Sequence, residues 1–531
     1  MTVVANGLVV DGRGGAAFPG DVVVDGDKIV DVLPTPNSQL PTPNFIDASG
    51  CLVTPGFVDA HAHSDAYLVL EPDAPSKISQ GVTTEVNGQC GGSVAPRYGE
   101  ARLSSDWAAI LGERLTWRSL AEYREALEAA KPALNTVQFV GHNTLRSSVV
   151  GYAGRESTPD ELARMSRLLE ESLDDGGWGL TTGLIYQPGK YSTPQEVVAL
   201  AKVAASKGGY YATHMRSEGD KILEAIDEVI DLVKATGIRA EISHLKTSGA
   251  RNWHKIDAVL EKMEGAIGAG ILLGSDRYPY CAAGTDLDVV LPDWAQEGAA
   301  KAECERLADA ATRKRIVDEI DASDRDWSTV MIGGTWHPYN KSFSGKTVAE
   351  ILSRSSCPSC LSRPSLSFSS PGSLVCRILE LDGCKTGAFF FGMSEENLAK
   401  IYSRPWIVPG SDASLRAPWG PLGADHPHPR AYGTMPEFYR RLREFGFSRE
   451  ETVARMTSVP ARRFGLRGRG VIEKGAFADI AVWKEDEFKS SATYDAPHQF
   501  ASGVKCVMVN GTVPYLDGRF TGNRGGRFLE R

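Results

Sequence analysis

The chain reads as an α/β protein: a (β/α)8 barrel of the TIM type, with a small β-sandwich domain built from both chain ends and an inserted lid subdomain. Three observations predict this. Short apolar runs alternate with helical stretches eight times through the middle of the chain. The two ends share a different texture, β-branched runs broken by Asp-Gly turns. More than a hundred residues separate the seventh apolar run from the eighth.

At 531 residues, more than one substructure is expected. Hydrophobic content of 42% and charged content of 24% are those of an ordinary globular protein. A net charge of −9 argues against nucleic acid or anionic membrane as a partner, and no apolar run reaches membrane-spanning length. The first residues carry neither a basic region nor a long apolar core, so no secretory signal is expected. Nine scattered cysteines, an odd number, fit a reducing cytoplasm better than a disulfide framework.

In chain order, Leu8-Val9-Val10-Asp11-Gly12, Asp21-Val22-Val23-Val24-Asp25-Gly26 and Lys28-Ile29-Val30 read as strands joined by hairpin turns. Asp479 to Trp483 and Val504 to Val509 repeat the pattern. Residues 1–54 and 467–531 are therefore assigned to one β domain. The barrel takes 55–285 and 386–466, and the insertion 286–385. Barrel strands are expected at Phe57-Val58, Thr83–Val86, Thr136–Val140, Gly179–Thr182, Tyr210–Thr213, Ala240–Ser243, Gly270–Leu273 and Trp406–Val408. Helix starts lie between them, as at Thr158-Pro159-Asp160-Glu161, a cap followed by a first-turn proline. No Gly-rich dinucleotide loop favours the open doubly wound sheet instead.

Chemistry enters at Asp59-Ala60-His61-Ala62-His63. Alternate residues of a strand point the same way, so His61 and His63 project together from the strand's end, two imidazoles of a half-built metal site. Other candidates follow later strands: Cys90 the second, His142 the third, His214 the fifth, His244 the sixth and Asp412 the eighth. The carboxyl ends of barrel strands meet at one mouth, so these side chains would converge. His214, His244 and a Cys90 thiolate make a three-ligand zinc site with a position left for water. His61 and His63 either complete that site or hold a second, weaker ion beside it. Asp412, as a ligand and as general base then acid, would move the proton from water to a leaving amine. The reaction implied is hydrolysis of a small-molecule substrate at a polarised carbonyl, most plausibly an amide.

The chain resembles the amidohydrolase superfamily, and within it the N-acyl-D-amino-acid deacylases. The matching pieces include Pro55–His63, Gly81–Thr84 leading to Cys90-Gly91, Gly183–Gly189, Thr213–Arg216 and Ile242–Lys246. Further on come Arg277–Tyr280, Gly410–Asp412, His428–Thr434 and Gly475–Asp479. The resemblance implies zinc at Cys90, His214 and His244, a weaker position involving His61 and His63, and Asp412 as acid and base. It also implies that Lys246 and Tyr278 grip the substrate carboxylate, with Tyr186 and Arg430 among the substrate contacts. D-stereochemistry is implied by the resemblance alone. A serine that some relatives carry after the Tyr-Pro-Tyr run appears here as Gly284 or Thr285. Tyr278 to Ala300 holds no Lys or Arg, which favours neutral or apolar side chains over N-acyl-D-glutamate or D-aspartate. The alternatives are a cyclic-amide hydrolase, disfavoured by Cys90, and a silent scaffold, disfavoured by the intact ligand set.

Residues 353–377 do not fit. Ser and Pro dominate, without one acidic residue, Lys or Ala, and family-like sequence resumes at Thr386. A compensated local frameshift is the preferred reading. A Ser/Pro linker, or a zinc ribbon on Cys357, Cys360, Cys376 and Cys384, is the alternative.

Overall fold

Eight parallel strands close into a ring, as the alternation of apolar runs and helices predicts. The computed structural model describes residues 1–34, 44–101, 110, 112, 115–355 and 368–531. The strands are Phe57–Asp59, Val82–Asn87, Asn135–Gln138 continued as Val140–Gly141, Gly179–Gly183, Tyr210–His214, Arg239–Ile242, Leu273–Arg277 and Ile407–Pro409. Each pairs in parallel with the next. The third is interrupted at Phe139, whose N–H still donates to Asn87 O at 3.0 Å. Closure comes where Ala60 N–H donates to Pro409 O at 3.0 Å and Ala62 bridges Ala413. Nearly every strand position is buried, as expected where helices cover a parallel sheet.

The seventh strand departs from the expectation. Apolar Ile271-Leu272 suggested Gly270–Leu273, but Leu272 is 49% exposed and the strand runs from Leu273 to Arg277. Its buried Ser275 donates to Ile242 O and its buried Asp276 meets His61 and His244, so hydrophobicity alone misplaces the start of the strand by three residues and its end by four. The helix after Thr158 forms over Pro159–Asp174 with a reciprocal capping box between Thr158 and Glu161.

Both chain ends contribute to the small β domain. Leu52–Pro55 pairs in parallel with Thr2–Val9 on one side and antiparallel with Ile480–Trp483 on the other, joining nine strands in one continuous sheet. Val4, Val22 and Ile46 from the first end share a core with Ile480, Val482 and Met508 from the second. Leu52–Pro55 leads directly into the first barrel strand, so this sheet anchors the strand that carries His61 and His63.

The insertion has its own core around Leu287, Leu307, Ile316, Leu374 and Leu379. A three-stranded antiparallel sheet, Ala283–Asp286, Gly387–Phe390 and Val330–Ile332, ties it to the barrel mouth. The anomalous stretch lies partly outside the described residues, at 356–367, together with Cys357 and Cys360. Its end packs as ordinary helix: Pro371–Asp382 is capped by Ser370, with Leu374, Val375 and Cys376 fully buried.

Candidate metal centre and active site

The loops after the strands bring six of the sequence-selected side chains to one mouth. One donor atom each from His61, Cys90, His244 and Asp412 lies within 4.8 Å of the others, and His214, Glu218 and His244 form an adjoining group of the same compactness. Cys90 Sγ is 3.4 Å from both His61 Nε2 and His244 Nε2. Asp412 Oδ1 is 3.4 Å from His61 Nε2 and 3.1 Å from His63 Nε2. The His214 and His244 rings stand 4.5 Å apart. Neither nitrogen of His214 has a hydrogen-bond partner among the described residues, although Nε2 lies 3.4 Å from Glu218 Oε2.

Backbone strain accompanies this convergence. Cys90, His244 and Asp412 all have positive φ, at 53°, 39° and 49°. Non-glycine residues rarely adopt that region, and such outliers persist where the surroundings over-determine them. The surroundings here include two glycines that no other residue could replace. A Cβ on Gly183 would meet Cys90 O at 2.0 Å, and one on Gly410 would meet Asp276 Oδ1 at 2.5 Å and His61 Cβ at 2.6 Å.

Burial would raise the Cys90 thiol, but the imidazoles of His61 and His244 outweigh it and hold the group well below its ordinary value, as thiolate. Burial would likewise raise Asp412, yet Arg430 and His244 keep its carboxyl well below the usual range. Arg430 Nη1 donates to Asp412 Oδ2 at 2.8 Å. A thiolate, four imidazoles and a carboxylate gathered at one mouth are a donor set suited to zinc.

Several supporting residues were missed at the sequence level. Asp276 accepts from His244 N–H at 3.0 Å on Oδ1 and sits 3.2 Å from His61 Nδ1 on Oδ2. Glu218 reaches His244 Nδ1 at 2.9 Å and ion-pairs with Lys246. Lys77, fully buried, bonds Asp59 Oδ2 at 2.8 Å and Glu85 Oε1 at 2.9 Å, and holds Ser411 Oγ and Ala413 O on either side of Asp412. Asp276 is a charged residue within a strand, whereas Lys77 lies on the short helix Pro75–Ile78 and Glu218 in a loop, where neither carries a signal in the sequence. His142, by contrast, does not join the cluster; it opens the helix His142–Val149, and its Nε2 lies 2.8 Å from Glu196 in the first turn of the helix Pro194–Ser206.

Five of the six donors, all but His61, line a 460 Å³ cavity. Lys246, Tyr278, Tyr186 and Arg430 line it. Tyr278 is fully buried, its hydroxyl without a partner among the described residues, with the Arg430 guanidinium 4.6 Å above its ring. Tyr186 packs its ring 4.9 Å from that of His214. The lid supplies Trp336, Phe389 and Lys385. Among the charged groups of this wall, Lys246 pairs with Glu218, Arg430 with Asp412 and Arg416 with Asp425, while the Lys385 ammonium has no ion-pair partner among the described residues.

A closed barrel with this donor set at its mouth defines a metal-dependent hydrolase of the barrel class. The chain belongs to the amidohydrolase family, whose model matches residues 44–337 and 390–515 and leaves the anomalous stretch unmatched. It is 33% identical to an N-acyl-D-glutamate deacylase of Alcaligenes xylosoxydans xylosoxydans, over 100% of this chain and 96% of that protein. It is 31% identical to a D-aminoacylase of the same organism, over 100% and 97%. Among solved structures, N-acyl-D-glutamate deacylase from Bordetella bronchiseptica, complexed with zinc and a phosphonate mimic of the tetrahedral intermediate, superimposes with a TM-score of 0.82 at 30% identity. That match covers 100% of this chain and 99% of the other. No helix among the described residues is long and apolar enough to cross a membrane.

Proposed function

We propose that the chain hydrolyses the amide bond of N-acyl-D-amino acids, giving a carboxylate and a free D-amino acid. The observation that carries this reading is the convergence of Cys90, His61, His244 and Asp412 within 4.8 Å, beside His214, on a cavity walled by Lys246, Tyr278 and Arg430. Cys90, His214 and His244 would hold one zinc ion tightly, and His61, His63 and Asp412 a second, weaker one. Zinc there supplies Lewis-acid polarisation of a carbonyl and brings a water molecule's pKa to about 7. Asp412, ionised beside Arg430, takes the proton from water and returns it to the departing nitrogen. Lys246, beside His244, and Tyr278 orient the substrate carboxylate, and Tyr186 and Arg430 border the same space. The D configuration is supported by what the relatives act on. A cytoplasmic location belongs to the same reading, supported by an odd set of cysteines of which one is a thiolate.

Neutral or apolar side chains are the leading preference, supported by the absence of Lys and Arg from Tyr278 to Ala300. One observation favours a second reading. Lys385, whose ammonium has no ion-pair partner among the described residues, joins the cavity lining, where an acidic side chain such as that of D-glutamate or D-aspartate would find a counter-charge. A panel of N-acetyl-D- and L-amino acids, assayed with and without chelator, tests both. Turnover of D-substrates that chelator abolishes supports the activity, and indifference to chelator or to configuration rejects it. A ratio of D-leucine to D-glutamate derivatives that Lys385→Met shifts toward leucine would select the acidic reading.

A further inference from the structure

Lys246 is 3% exposed, and its ammonium donates to Glu218 Oε1 and to His244 O at 3.0 Å, with His244 Nδ1 2.7 Å away. Glu218 in turn lies 2.9 Å from His244 Nδ1 and 3.4 Å from His214 Nε2. One carboxylate thus touches two imidazoles proposed as ligands and the cation proposed to grip substrate. That cation stands within hydrogen-bond reach of an imidazole whose other face meets Cys90. A buried ammonium so close to the place of a dication is unfavourable unless an anion sits between them.

We propose that Glu218 is the positioning residue that makes this site workable. It aims His244 into the metal cluster and neutralises Lys246, so that an ammonium for substrate and a zinc ion can occupy neighbouring positions. The inference rests on the zinc site described under Proposed function. Glu218 follows His214 by four residues in the loop after the fifth strand, and Ser248 N–H fixes its backbone by donating to Glu218 O at 2.7 Å. Carboxylates behind ligating imidazoles set ring orientation, and their loss weakens metal binding ten- to a hundred-fold.

The test is zinc affinity by chelator competition, with circular dichroism confirming the fold. Glu218→Gln is expected to bind zinc at least tenfold more weakly than wild type. Removing the stranded cation as well, in Glu218→Gln/Lys246→Met, is expected to recover most of that loss. Equal affinity in Glu218→Gln overturns the proposal. So does a loss that the double variant fails to recover, since the stranded Lys246 cation would then not be its cause. Lys246→Met alone gives a second route if the Gln variant does not fold: it should bind zinc at least as tightly as wild type, and tenfold weaker binding would refute the charge argument. A wild-type chain that binds no zinc rejects the function proposed above, and this role with it; a zinc-binding wild type matched by Glu218→Gln rejects only the role of Glu218.

Discussion

Asp276 Oδ2 lies 3.2 Å from His61 Nδ1, with both side chains buried, so the seventh strand fixes the ring that leaves the first. The same carboxylate receives the His244 backbone N–H, and one residue thereby sets two neighbours of Cys90. Asp276→Asn keeps the shape but withdraws the negative charge that orients His61. Activity is expected to fall about ten- to a hundred-fold with the fold retained. Steady-state kinetics of the purified variant, with a thermal melt for folding, check this.

Lys77 joins the first and second strands to the loop of Asp412. Lys77→Met leaves Asp59 and Glu85 buried without their cation, and breaking such a pair costs about 3–5 kcal/mol. Chemical denaturation would show a large drop in midpoint; an unchanged midpoint would mean that the two carboxylates find other partners.

Glu196 supplies the pH dependence. Burial raises its carboxyl, but His142 and Arg146 outweigh burial and bring it to about 2 from an ordinary 4.5. A depressed carboxylate stabilises the fold above its unfolded value and loses that contribution as the pH falls from 4.5 toward 2. Glu196→Gln should therefore be less stable than wild type at pH 7, and the gap should narrow below pH 4.5. Denaturant midpoints at several pH values measure it, and a constant gap would contradict the assignment.

Asp412→Asn removes the proton acceptor while Cys90, His214 and His244 remain. The expected loss is about a hundred- to ten-thousand-fold in kcat. Zinc analysis of the same sample separates this from loss of the metal.

The ring was legible because strands buried on both faces are written as short apolar runs, and the cluster because His61, Cys90, His214, His244 and Asp412 follow those runs. What escaped has one physical cause. Asp276, Glu218 and Lys77 are largely buried charges that each pair with a residue on another strand or loop, as Asp276 with His61, Glu218 with Lys246 and Lys77 with Asp59, and in a linear reading each resembles a surface residue. Hydrophobicity also drew the seventh strand onto exposed Leu272 and so hid Asp276. His142 misleads for the converse reason: it follows a strand, but it pairs with Glu196, which Arg146 also holds, away from the metal cluster.

The most direct measurement is zinc per chain, by elemental analysis, in wild type and Cys90→Ala, beside hydrolysis of an N-acetyl-D-amino acid. Zinc in the wild type, with metal and turnover both lost in Cys90→Ala, is the predicted result. A folded Cys90→Ala that keeps its zinc and its activity would contradict the account.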